Sequence, residues 1–72
     1  MIITPAQIRA ARGLLGWNQQ DLAEKAHISI GTVKNFESGK ETVHYNSMQS
    51  LRSALEAAGI EFLGQNGVQK TK

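Results

Sequence analysis

Ile30, Gly31, Lys34 and Asn35 sit in the stretch 29–38 at spacings that place them on one helical face, away from Val33 and Phe36. Their types are complementary: a cationic donor, an amide that donates and accepts, an aliphatic group and a bare backbone position. On the floor of a major groove, Lys34 can donate to guanine O6 or N7, and Asn35 can pair with adenine N6 and N7. Ile30 can touch a thymine methyl. Gly31 offers no side chain and allows close approach instead. The bland alternative is that Lys34 and Asn35 are simply a solvated helix face.

Such a set acts only if the chain holds it at a fixed angle, and the stretch 18–39 reads as two short helices built for that purpose. Asn18 can cap the first helix, because its side-chain oxygen can accept a backbone N–H there. Trp17 and Leu22 stand at hydrophobic-staple spacing around that cap. The pattern repeats with Ser29 as cap and Ile28 and Val33 as staple. Leu22, Ala23 and Ala26 form one apolar stripe, and Val33 and Phe36 form the next. Only His27, Ile28 and Ser29 separate the stripes, so the helices must cross steeply, as in a helix-turn-helix. In the DNA-binding form the second helix enters the major groove.

Upstream, Thr4 and Gln7 make a capping box, Pro5 suits the first helical position, and Ile3 and Ile8 form a staple. This helix runs to about Leu15 and stops at Gly16, with Ile8, Ala11 and Leu15 on one face and Arg9 and Arg12 on the polar side. Gly13 inside it suggests close approach of a neighbour. From Gly39 to Tyr45 the period breaks, which predicts a loop. Asn46 or Ser47 then caps a fourth helix, with Met48, Leu51, Leu55 and Ala58 as its stripe. Gly59 ends it, and Ile60 can pack on Leu55. Beyond lie β-formers. The spacing predicts a hairpin with arms 61–65 and 68–70, turning at Asn66 and Gly67 in a type I′ turn. A lone hairpin is unstable, so it must pack on the helices or pair with another chain. Thr71 and Lys72 are expected to fray. The expected fold is therefore all-α, four to five short helices plus a C-terminal β-hairpin, in a single domain over 1–72.

Gln19, Leu22, Ala23, Ile28, Ser29, Thr32, Val33, Glu37, Gly39 and Lys40 stand in an order and spacing that resemble the lambda-repressor/Cro-like (Xre) helix-turn-helix family. The likeness extends from Ile8 to about Gly59. It implies that Ile30, Gly31, Lys34 and Asn35 occupy the family's base-reading positions. It implies phosphate contact for Gln19, which opens its helix beside free backbone N–H groups. Ser29, Thr32, Lys40, Tyr45 and Asn46 are further phosphate candidates. Arg12 and Glu37 match a pair that fixes the recognition helix in this family. His27 departs from the family, which usually places glycine in this turn; histidine tolerates positive φ better than β-branched residues do.

A chain of 72 residues supports one small, marginal core, and with no cysteine neither disulfides nor thiolate metal sites can supplement it. Dimerisation remains as the supplement. The net charge of +2 permits nucleic-acid binding without demanding it, so affinity depends on where the charges sit. No apolar run suits a signal peptide or a membrane span, and a cytoplasmic location is expected. Asp21, Glu24 and Glu37 have ordinary helix-surface spacing, and no phosphate loop, nucleophile with base, or metal cluster is visible; no enzyme, cofactor or metal is expected.

Together these readings predict a transcriptional regulator, a repressor by family analogy, bound as a homodimer to palindromic double-stranded DNA. Two rivals are an antitoxin that also controls its own operon, with a toxin as protein partner, and a protein-interaction module on the same fold. The short tail after Gly67 argues against the first; the apolar Ile30 and modest charge favour the second.

Overall fold

The structure, a computed structural model, describes residues 3–39, 45–64 and 67–71. In chain order its elements are α1 (Pro5–Leu15), α2 (Gln19–Ala26), α3 (Ile30–Ser38), α4 (Tyr45–Ala57), β1 (Ile60–Leu63) and β2 (Gly67–Lys70). Lys40, the rest of the expected loop up to residue 44, Gln65, Asn66 and Lys72 lie outside the described residues.

The first three helices begin where their caps place them. Thr4 Oγ1 accepts the Gln7 N–H at 3.2 Å, and Gln7 Oε1 accepts the Thr4 N–H at 2.9 Å, closing the box. Asn18 forms a second box with Asp21, and the Ser29 hydroxyl accepts the Thr32 N–H at 3.1 Å. α1 and α2 end alike. Trp17 N–H returns to the Arg12 carbonyl and Ile28 N–H to the Ala23 carbonyl, each at 3.0 Å. Gly16 provides the left-handed residue in α1, whereas His27 provides it in α2 at φ 58°.

Four expectations need correction. Gly13 has no atom within 4 Å of where a Cβ would stand, so nothing approaches it closely. α4 already includes Tyr45, which puts Asn46 and Ser47 inside its first turn rather than at its cap; short polar residues fit either position. Gly67 lies in β2 opposite Leu63 and is a strand residue, not a central residue of a two-residue turn. A Cβ on Gly67 would sit 2.9 Å from the Leu63 carbonyl oxygen, which accounts for glycine there. Thr71 is not frayed: its N–H and hydroxyl both donate to the Gly59 carbonyl, at 2.6 and 3.0 Å.

The two strands pair antiparallel, with Ile60 opposite Lys70 and Phe62 opposite Val68. Alternation buries Ile60 and Phe62 and exposes Glu61 and Leu63. The inward pair joins Ile3, Ile8, Ala11, Leu22, Ala23, Val33, Phe36, Leu51 and Leu55 in one core. Full burial of one such aliphatic side chain contributes about 2 kcal/mol. The hairpin thus packs on this chain's own helices. Gln7, wholly buried, strengthens that docking: its Nε2 donates to the Gly64 and Gly67 carbonyls at 3.0 Å each.

Candidate nucleic-acid interface

α3 is two-sided. Val33, Phe36 and Glu37 are buried, while Gly31, Lys34 and Asn35 are exposed. Ile30 is half-buried and packs partly against the core, so only part of its side chain faces outward. Ser29 and Thr32 sit at the helix entrance, their hydroxyl oxygens 2.9 Å apart.

Glu37, which is 6% exposed, ties α3 to α1 and α2. Arg12 Nε donates to Glu37 Oε2 at 2.6 Å and Arg12 Nη2 donates to Oε1 at 2.8 Å, a two-pronged ion pair between α1 and α3. Gln19 Nε2 adds a third bond, to Oε1 at 3.1 Å, which brings in the first residue of α2. Arg9 Nη1 donates to the Glu37 backbone carbonyl. Arg12 Nη1 also reaches the Trp17 carbonyl at 3.1 Å. The buried carboxylate therefore has strong donors on both oxygens, the arrangement that makes an interior charge tolerable. The hydrogen bond to Glu37 raises the Arg12 pKa, against the lowering from burial and together with the Glu37 charge.

Arg12, Gln19 and Glu37 thus converge on one cluster behind α3. Gly31, Lys34, Asn35 and the half-buried Ile30 lie along α3 itself. Tyr45 and Asn46 open α4, both exposed, and the Tyr45 hydroxyl accepts from Gln49 Nε2 at 3.0 Å. Two participants are invisible to sequence reasoning. Arg9 reads as a surface cation, although its position three residues before Arg12 could have paired them. Gln7 is already explained by its cap, so its amide nitrogen carries no separate signal.

The helix-turn-helix family of Xre and lambda-repressor-like proteins matches residues 8–60, from within α1 to the start of β1. The chain belongs to this family. A search of curated proteins found no match. The helix-turn-helix family is one of DNA-binding regulators, and DNA is the partner that membership supports. In its terms, α2 and α3 are the paired helices, and the exposed face of α3 carries Gly31, Lys34 and Asn35. No helix among the described residues is long and apolar enough to cross a membrane.

Proposed function

We propose that this protein binds double-stranded DNA in a sequence-specific way, with α3 in the major groove, and regulates transcription as a repressor that occludes a promoter. The observation that carries the reading is the outward face of α3. It presents Gly31, Lys34 and Asn35 without an acidic residue, and the Arg12–Glu37 pair ties α3 to α1. Lys34 and Asn35 read base edges, and Ile30 and Gly31 shape the contact. Gln19 keeps a second N–H beyond the one given to Glu37, and that N–H goes to a phosphate. Ser29, Thr32, Lys40, Tyr45 and Asn46 are further phosphate contacts in this reading. A homodimer on a palindrome, in the cytoplasm, is the working form.

The test is selection of bound duplexes from a random library, then titration of the preferred duplex at two salt concentrations. The expected result is an enriched palindrome. Lys34→Ala and Asn35→Ala should each cost about 1–3 kcal/mol on that duplex and relax preference at one position. Gln19→Ala should weaken all duplexes alike and lower the salt slope by about one. Absence of enrichment, with only weak salt-sensitive binding, would refute sequence-specific recognition and direct attention to a protein partner for the same face.

A further inference from the structure

We propose that Gly31 is a specificity-determining position whose missing side chain makes room for the C5-methyl group of a thymine, an assignment that rests on the DNA reading above. Of the seven glycines, Gly16, Gly39, Gly59 and Gly64 have positive φ, and Gly67 abuts the Leu63 backbone. Gly13 and Gly31 have neither reason, and of the two only Gly31 lies on α3. Its φ lies outside the left-handed region, and an added Cβ would meet only Ser29 Oγ, at an ordinary 3.8 Å. The fold would accept alanine, and a helix favours alanine over glycine. What the fold does not require, a partner outside the chain can.

The position says which partner. Gly31 stands one helical turn before Lys34 and Asn35 on the exposed face of α3. Helical side chains tilt toward the N-terminus, so the ends of Lys34 and Asn35 border the bare step. Ile30, partly exposed beside it, makes the step apolar. Among the major-groove edges of the bases, the thymine methyl is the apolar group. A methyl on the protein at this point would occupy the volume that the thymine methyl fills.

Gly31→Ala is therefore expected to separate stability from binding. It should melt about 2–6 °C higher than the wild type. It should bind the preferred duplex at least about tenfold more weakly. Replacing one particular thymine in each half-site by deoxyuridine removes the methyl; it should restore most of the Gly31→Ala loss while weakening the wild type. Gly13→Ala supplies the control, because Gly13 is an exposed helical glycine with open space around it, on α1. It should melt higher and bind as the wild type does. Unchanged binding by Gly31→Ala would overturn the assignment. So would a loss that deoxyuridine relieves at no position, or an equal loss in Gly13→Ala. Failure of the wild type to select any duplex would instead overturn the DNA reading, and this assignment with it.

Discussion

Glu37 shows how one buried carboxylate can tie the helix that carries it, α3, to the two helices before it. Its oxygens receive Arg12 twice and Gln19 once, and its carbonyl receives Arg9. Glu37→Gln keeps the shape but places an NH2 group where Arg12 needs an acceptor, and leaves the guanidinium without its counter-charge. Breaking one side of a buried pair costs about 3 kcal/mol or more, a large share of the stability of a small domain. Urea unfolding should show that loss, and Trp17, whose carbonyl is tied to Arg12, provides a fluorescence signal nearby. The pH dependence follows from the sign of the Arg12 shift. A raised pKa in the folded state means its contribution is fully present below the unfolded value and is lost only as pH rises through the folded one. For arginine that window is strong alkali, so the Arg12 contribution should stay flat through the neutral range.

The elements divide into those held by local chemistry and one held from a distance. α1, α2 and α3 are each closed by their own caps, but the hairpin depends on Gln7, which lies 57 and 60 residues from the two carbonyls it grips. Gln7→Ala removes both bonds and opens half of the α1 capping box, each lost bond costing about 1 kcal/mol because its partners on Thr4, Gly64 and Gly67 are at most half-buried. Hydrogen exchange should then accelerate first in β1 and β2, while α2 and α3 keep their protection; a uniform loss across the domain would refute this division. The same contrast explains what could be read from the chain. Thr4, Asn18 and Ser29 announce helix starts because cap, staple and apolar stripe lie within a few residues of one another. Helix-turn-helix membership was legible for the same reason. The start of α4 was not, since Asn46 resembles a cap whichever turn it occupies. The anchoring of Thr71 on Gly59 and the cluster of Arg9 and Gln19 around Glu37 are long-range or side-chain-specific, and no periodicity encodes them. The Arg12–Glu37 partnership came from family resemblance, not from spacing, because 25 residues separate the two.

The domain's dimensions bear on how two copies would share an operator. It measures 28 × 23 × 18 Å. Half-sites one helical turn apart put the copies about 34 Å from centre to centre. Because every one of these dimensions is shorter than that spacing, the copies can meet only with their long axes pointing at one another, and then along a narrow margin of side chains. The exposed large apolar side chains among the described residues are Leu14, Tyr45 and Leu63, too few to form an interface resembling a core cut in half. An obligate dimer is therefore not expected. The protein should sediment as a monomer at micromolar concentration and pair on DNA, where the second copy arrives at a high effective concentration set by the first. Binding to the palindrome should be cooperative, and inserting about half a helical turn between half-sites should abolish the cooperativity while leaving each half-site occupied, because the insertion rotates the copies to different sides of the duplex. A stable dimer at submicromolar concentration without DNA would contradict this account and would require a larger interface than the exposed apolar side chains provide.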